Sequence, residues 1–228
     1  MLALAMFEDV ITEPISNPYF QSIDGYEARF EKIAQKIGFD RKKVAKLVLA
    51  ISYVEYSGMR AISSTCRGVH VTSTTMQHIL DEGRHAHYLY KMAIKLNEGE
   101  LDYSQVPNSR ATAHYYNRLY VSAKKILQDV DTTLSVDDLD FNVFCFVVST
   151  VELRAIKMFK VLNKLSNQYD WGINFNLLIS DELEHLNMVN EPLKSILDVA
   201  DPGYQKFIAY EGRFYNYFLK SLENYFNA

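Results

Sequence analysis

Apolar residues recur every three or four positions through most of this 228-residue chain, the spacing that gives an amphipathic helix its buried face. Glycine and proline interrupt the pattern rarely, with nine and five copies respectively. This scarcity favours long helices over a turn-rich β protein. The pattern therefore predicts an all-α fold.

Polar and proline-containing breaks divide the pattern into segments. An irregular arm is predicted for residues 1–20, and Asp201-Pro-Gly203 predicts a break before a last helix over 203–226. Between them we predict helices over about 21–38, 40–64, 73–97, 111–129, 137–165 and 173–198. The length fits one large domain over residues 1–228 better than it fits two.

Two of these helices carry a glutamate in the middle of an apolar face. Glu55 takes an apolar position in the stripe of the helix over 40–64, and Glu152 does so in the helix over 137–165. A buried, unpaired carboxylate is costly, so each of these side chains needs a partner. Metal coordination is the usual resolution when several such groups converge.

A short motif occurs twice, as Asp-Glu-Gly-Arg-His at 81–85 and as Asp-Glu-Leu-Glu-His at 181–185. Its Glu and His are three residues apart, so they share one face of a helix and can bind the same metal ion. Glu82 follows Glu55 by 27 residues, and Glu182 follows Glu152 by 30. One such motif arises by chance in many helices, but two copies with matching upstream glutamates indicate a site. The predicted metal ligands are Glu55, Glu82, His85, Glu152, Glu182 and His185.

Four carboxylates and two imidazoles form the ligand set of a di-iron or di-manganese helical bundle. Such mixed ligands suit iron or manganese, and the lack of a thiolate in the set disfavours structural zinc. The spacing leaves open two iron ions, two manganese ions and a mixed pair. The other interpretation, that both motifs are solvated helix faces, conflicts with the apolar stripes that hold all four carboxylates.

These motifs resemble those of the ferritin-like di-iron carboxylate superfamily, and the resemblance covers about residues 40–97 and 137–198. It implies a ferritin-like four-helix bundle with a crossover connection and extra flanking helices, holding two iron ions. The implied roles are bridging or chelating carboxylates for Glu82 and Glu182, terminal carboxylates for Glu55 and Glu152, and one metal each for His85 and His185. The first copy has the Asp-Glu-x-Arg-His form of the bacterial multicomponent monooxygenases, whereas the second copy has Glu184 in place of the arginine.

Residues beside the motifs predict a supporting layer of hydrogen bonds. Metal-bound imidazoles are oriented by a partner on their second ring nitrogen. Asp81 and Asp181 are the candidates, each expected to bond the histidine of the other motif. Arg84 is expected to belong to the same layer.

His78 lies four residues before Glu82, which gives His-x-x-x-Glu-x-x-His on one helix face. This is similar to the motif that supplies a third imidazole in the aryl-amine N-oxygenases of the superfamily, where it lies on the last ligand helix. Two interpretations stay open: an extra metal ligand, or a hydrogen-bonded histidine that lines the pocket one turn above the metals, which we favour. If the chemistry differs between the two metals, its position indicates that the ion held by the first half is the unusual one.

Two reduced metal ions with open positions can bind and activate dioxygen. The first functional hypothesis is an oxidase or oxygenase that uses dioxygen on a small organic substrate, with an electron-donor protein left open as a partner. The form of the first motif and the helices beyond a minimal bundle favour it. Long-chain aldehydes, amines and aromatic rings all suit an apolar cavity. The alternatives are a ferroxidase, iron-storage or stress protein, a tRNA hydroxylase of the superfamily, and a non-catalytic bundle that uses metals for stability or interaction.

Composition narrows the partners. A net charge of −4 without a Lys/Arg cluster argues against nucleic acid. No run of 18 apolar residues predicts a membrane span, and the first residues lack the basic flank of a signal peptide. Cys66 and Cys145 lie in helical stripes and fit a reducing cytoplasm. A homodimer is left open, and the aromatic stripe over 204–225 predicts core packing rather than a substrate channel.

Overall fold

The computed structural model describes residues 18–66, 71–106 and 109–227, with the side chains of 25–66, 71–106, 114–196 and 203–227. These residues form six α-helices, one 3-10 turn over Tyr103–Gln105 and no strand. The helices are α1 (Pro18–Ile37), α2 (Arg41–Thr65), α3 (Ser73–Asn97), α4 (Ser109–Val130), α5 (Val136–Tyr169) and α6 (Asn176–Asn227). The all-α prediction is confirmed for the described residues.

Most of the predicted N-terminal arm lies outside the described residues. Its last part, from Pro18 to residue 20, is helical, because α1 begins at Pro18. A proline at the first helical position costs no intrahelical hydrogen bond, since the first N–H groups of a helix have no partner within it. Residues 67–70, in the predicted turn between α2 and α3, also lie outside the description.

Capping side chains mark where the helices that carry the predicted ligands begin. Asp40 caps α2 by accepting a hydrogen bond at 3.1 Å from the N–H three residues on. Thr72 and Ser135 cap α3 and α5 in the same way, each at 3.1 Å. At its other end α5 continues past the predicted residue 165 to Tyr169, and stops where Asp170 adopts a left-handed conformation with φ of 51°.

The predicted break at Asp201-Pro-Gly203 is wrong, because α6 is continuous through these residues. A proline inside a helix costs about 3 kcal/mol, and burial of the flanking apolar residues offsets this cost. Leu193 and Phe207 on either side are both buried, which contributes about 1.5–3 kcal/mol for each side chain. Gly203 serves close packing rather than a turn, since a Cβ there would lie 2.7 Å from Ile126 Cγ2 of α4.

Two helix pairs have the most extensive contacts, α2 with α3 and α5 with α6. Helix α4 packs against α6, α5 and α2, and α1 packs against α6 and α5. The aromatic stripe of α6 contributes to the core as predicted, through buried Tyr204, Phe207, Phe218 and Leu222. Trp171 Nε1 donates to the Gly38 carbonyl at 2.9 Å, which ties the α5–α6 loop to the end of α1. Among the described helices, none combines the length and apolarity that crossing a membrane requires.

Candidate metal centre

The predicted ligands meet between the two helix pairs. Each of the four long helices contributes: Glu55 from α2, His78, Glu82 and His85 from α3, Glu152 from α5, and Glu182 and His185 from α6. None of these residues is more than 5% exposed. They are buried because each occupies a position in an apolar stripe whose neighbours one turn away face the core.

Candidate ligand atoms converge in two groups, within each of which all four atoms lie within 4.8 Å of one another. The first group is Glu55, Glu82, His85 and Glu182, and the second group is His78, Glu82, Glu152 and His185. Glu82 belongs to both groups. Glu182 also reaches both, since its Oε1 lies 3.1 Å from His85 Nδ1 and its Oε2 lies 2.9 Å from His185 Nδ1. Two carboxylates are therefore shared, and Glu55 and Glu152 each belong to one group.

The motif histidines direct Nδ1 toward these carboxylates and Nε2 away from them. His85 Nε2 lies 3.0 Å from Asp181 Oδ2, and His185 Nε2 lies 3.4 Å from Asp81 Oδ2. Each aspartate thus bonds the histidine of the other motif, which is the crossed pairing expected from the sequence. A histidine that donates its Nε2 proton to an aspartate keeps the Nδ1 lone pair for a metal ion.

Arg84 covers this crossed pairing from the solvent side. Its guanidinium hydrogen-bonds Asp81, and Nη2 lies 3.6 Å from Asp181 Oδ2. The Arg84 side chain is 64% exposed, whereas that of Asp81 is 10% exposed. Gln77 Nε2 donates a further hydrogen bond to Asp81 at 2.7 Å. Arg84 therefore offsets the charge of two aspartates, although solvent weakens an ion pair in this position.

His78 lies with the second group, so the expectation that it marks the first half is wrong. Its Nε2 lies 3.0 Å from Glu152 Oε1 and 3.2 Å from Glu82 Oε1. The His78 and His185 rings stack with centroids 3.8 Å apart. His78 precedes His85 by two helical turns, and each turn shifts a side chain by about 5.4 Å along the helix axis. That shift carries His78 past the first group to the level of the ligands from α5 and α6.

Crowding of buried carboxylates perturbs their protonation. Burial raises the pKa of Glu82 well above its ordinary value, and repulsion from Glu55, Glu182 and Glu152 raises it further. Burial also raises the pKa of Glu152, with Glu182 adding to the rise. Burial acts in the same direction on Glu182, but its close contacts with the two motif histidines outweigh burial and lower that pKa.

Burial acts on the pKa of an imidazole in the opposite sense. Burial disfavours a charged imidazole, yet the carboxylates of the second group raise the pKa of His78 to about 10. Burial is likewise outweighed at His85, where the first group raises the pKa to about 12. Without another cation, these histidines hold protons that offset the carboxylate charge. A divalent cation would take the place of such protons, because metal ligands must be deprotonated.

Three buried polar atoms at this site have no hydrogen-bond partner in the described chain, namely His78 Nδ1, His85 Nδ1 and Glu182 Oε1. The last two face each other at 3.1 Å but are not aligned for a hydrogen bond. An unsatisfied buried polar group costs about 1–3 kcal/mol, and a cation between these two atoms would satisfy both. The donor atoms of both groups could therefore hold metal ions.

A cavity of about 30 Å³ adjoins both groups and touches Glu55 and Glu152. A water molecule needs about 10–15 Å³ of such volume, so the cavity has room for water or dioxygen. Its mainly apolar walls include Tyr115, Tyr116, Val151, Met158 and Phe218. Sequence reasoning missed Tyr115, Tyr116 and Phe218, because α4 and the end of α6 carry no ligand motif that would point to them.

Sequence reasoning also missed a buried ion pair beside this cavity. Glu211 of α6 is fully buried and accepts hydrogen bonds from Arg154 Nε and Tyr115 Oη, both at 2.6 Å. The sequence does indicate a buried charge here, because Glu211 interrupts an aromatic stripe just as Glu55 interrupts an apolar one. Here Arg154 supplies the positive charge from within the chain.

Comparisons of the chain with protein-family models, with curated proteins and with solved structures find no match. The resemblance to ferritin-like proteins therefore rests on the motifs and their spacing. The residues themselves form two adjoining, buried groups whose donor atoms could hold metal ions.

Proposed function

We propose that this chain is a ferritin-like di-iron protein that activates dioxygen to oxidise or oxygenate a small organic substrate. The observation that carries the proposal is the pair of buried groups that share Glu82, each with a histidine whose Nε2 is bonded to an aspartate. In this proposal α2, α3, α5 and α6 are the four bundle helices. Helix α4 belongs to the crossover connection, and α1 flanks the bundle.

The ligand assignment follows the two groups. In this assignment Glu55 and His85 bind one ion, Glu152 and His185 bind the other, and Glu82 and Glu182 bridge the pair. Carboxylate and imidazole ligands suit iron and manganese alike. We propose two iron ions, and elemental analysis separates this outcome from two manganese ions or a mixed pair.

We also assign His78 to the ion of the second group, as a third imidazole of the centre. Its Nε2 is 3.0 Å from Glu152 Oε1, which supports a place beside the ion that this carboxylate binds. The second group then offers two nitrogen ligands and the first group offers one. The two ions therefore differ in their ligands, and the unusual one is held with Glu152 and His185.

When bound, two reduced iron ions supply the electrons with which dioxygen is activated. The chain provides a setting for that chemistry, because the cavity beside Glu55 and Glu152 has room for dioxygen and its other walls are mainly apolar. Asp81 and Asp181 hold the imidazole rings in one orientation and keep Nδ1 free for the ions. The proposal includes an electron-donor protein as partner, because repeated turnover consumes electrons, and it includes no nucleic acid.

A ferroxidase is the second candidate, and the size of the cavity is the observation that favours it. At about 30 Å³ the cavity admits dioxygen, but an aldehyde, an amine or an aromatic ring needs its walls to move. An oxygenase must therefore open the cavity to its substrate, whereas a ferroxidase need not.

Anaerobic loading with Fe(II), followed by dioxygen, distinguishes the candidates. Stopped-flow absorbance follows the oxidation, and elemental mass spectrometry gives the metal content. We expect about two irons per chain, a transient visible absorption band, and oxidation that stops at that ratio. Less than one ion per chain contradicts both candidates. Rapid oxidation of many irons per chain, with mineral formation, favours the ferroxidase.

A further inference from the structure

A second pocket lies outside the cavity, between α4 and α6. Its volume is about 100 Å³, and it is lined by His114, Tyr115, Arg118, Phe214 and Tyr217. We call this pocket the vestibule. Tyr115 lines the cavity as well, so this side chain stands between the vestibule and the space beside Glu55 and Glu152.

Tyr115 is held in place by the buried ion pair. Its Oη donates to Glu211 Oε1 at 2.6 Å, and Arg154 Nε donates to the same oxygen at 2.6 Å. The Arg154 guanidinium carbon also lies 3.7 Å from the centre of the Tyr215 ring. Arg154 and Glu211 belong to two closely packed helices, α5 and α6, whereas Tyr115 belongs to α4. Rotation of Tyr115 gives up its bond to Glu211 and leaves the ion pair intact.

Another approach to the cavity, between α1 and α5, is far narrower. A pocket there measures about 10 Å³, against about 100 Å³ for the vestibule. It shares Arg154, Met158 and Tyr215 with the cavity. Its walls include Phe30, which is 1% exposed, and Arg154, which is paired with Glu211. Opening this side would disturb the core and the ion pair, so the vestibule is the better entry.

The vestibule is cationic and aromatic. The Arg118 guanidinium carbon lies 5.7 Å from the centre of the Phe214 ring, which fixes the cation against one wall. Tyr217, 55% exposed, and His114 complete the lining. Among the described residues that line it there is no carboxylate, although the chain has a net charge of −4. A guanidinium binds carboxylates through paired hydrogen bonds, and aromatic rings pack against an apolar body.

We propose that the vestibule admits a small arylalkyl carboxylic acid, whose carboxylate binds Arg118 while its apolar end reaches the cavity past Tyr115. This names the substrate class of the centre and so rests on the proposed function. The orientation follows from the charges, because Arg154 at the cavity is already neutralised by Glu211 and the other walls are mainly apolar. Arg118 then determines specificity, and Tyr115 is the gate.

Calorimetric titration of the Fe(II)-loaded protein, without oxygen, tests Arg118 with two probes of similar shape, 4-phenylbutyrate and 4-phenylbutan-1-ol. We expect wild-type protein to bind the acid roughly tenfold more tightly than the alcohol. Arg118→Gln should weaken acid binding by roughly fivefold or more and leave alcohol binding unchanged. Arg213→Gln is the matched control, because Arg213 is exposed on α6 and does not line the vestibule. Equal affinities for acid and alcohol, no binding of the acid, or no effect of Arg118→Gln would each overturn the proposal.

Tyr115→Phe tests the gate, because it removes the hydrogen bond to Glu211 and keeps the ring. Arrival of phenylbutyrate at the centre is followed by the near-infrared circular dichroism of the Fe(II) ions. We expect Tyr115→Phe to accelerate this change by roughly threefold or more, with its melting temperature checking the fold. An unchanged or slower response overturns the gate. Protein that shows no Fe(II) signal contradicts the di-iron centre, whereas a normal signal that the acid does not perturb contradicts the entry path alone.

Discussion

At the scale of single residues, two buried carboxylates of the same kind have opposite surroundings. Glu152 and Glu211 both interrupt apolar stripes and are both buried. Glu211 faces Arg154 and forms an ion pair within the chain. Glu152 faces another carboxylate and two histidines instead. A buried charge requires an opposite charge, which Arg154 provides at Glu211 and which a metal ion provides at Glu152 in our proposal.

Glu152→Ala removes a carboxylate that belongs only to the second group. We expect metal content to fall from about two ions to about one per chain, with loss of the absorption band that follows dioxygen. Helix content should be kept, because the core packing around α5 does not depend on this carboxylate. Elemental mass spectrometry and circular dichroism measure the two effects. Glu184→Gln, a change at an exposed position of α6, is the control, and unchanged metal content in Glu152→Ala would contradict the assignment.

His78→Gln tests the third imidazole, because glutamine keeps a polar side chain and removes the ring. We expect the affinity for the ion of the second group to fall roughly tenfold or more, about 1.4 kcal/mol, while the first ion binds as before. Competition titration with a metal-sensitive dye measures both affinities. His87→Gln, at an exposed position of the same helix, is the control. Two unchanged affinities would show that His78 is a hydrogen-bonded pocket residue and not a ligand.

At the scale of helices, the sequence indicates where helices begin, but it does not indicate that α6 runs without a break through residues 201–203. Asp40 caps α2 by accepting a hydrogen bond from a residue three positions away, so the start of this helix can be predicted from neighbouring residues alone. The proline and glycine at 202 and 203 are an equally clear local signal for a break. Burial of Leu193 and Phe207 outweighs that signal. Burial against other helices depends on the whole fold, so a short stretch of sequence does not predict it.

Gly203→Ala tests why α6 carries a glycine where it passes α4. The added Cβ would lie 2.7 Å from Ile126 Cγ2. We expect the free energy of unfolding to fall by about 1–3 kcal/mol, although alanine favours a helix by up to about 1 kcal/mol. Urea denaturation measures the change.

Gly25→Ala in α1 is the matched control, because a Cβ there meets no atom within 4 Å. It should raise the free energy of unfolding by about 0.5–1 kcal/mol. If Gly203→Ala is as stable as Gly25→Ala, the glycine of α6 is not needed for close packing with α4.

At the scale of the whole molecule, the six candidate ligands could be identified from the sequence because the motif and its upstream glutamate occur twice. The face of each helix follows from its period, so the sequence predicts which side chains point inward. It does not predict the height at which one helix lies against another. For that reason the grouping of His78 with Glu152, and the position of Tyr115 between cavity and vestibule, required the packed structure.

The centre joins α2, α3, α5 and α6, so metal binding should stabilise the molecule as a unit. A ligand that binds only the folded state adds about 2.7 kcal/mol at a hundredfold excess over its Kd. For a chain of 150–250 residues, 1 kcal/mol raises Tm by about 2–4 °C. Because the proposed centre binds two ions, we expect Fe(II) or Mn(II), added without oxygen to metal-free protein, to raise Tm by about 10–20 °C.

Thermal unfolding followed by circular dichroism measures this shift, and a chelator should reverse it. Glu152→Ala, which keeps the first group, should show about half of the shift, because the two contributions to the free energy are similar in size. Glu184→Gln should show all of it. A Tm that does not respond to either metal would contradict a centre that holds the four helices together, whatever the cavity beside it binds.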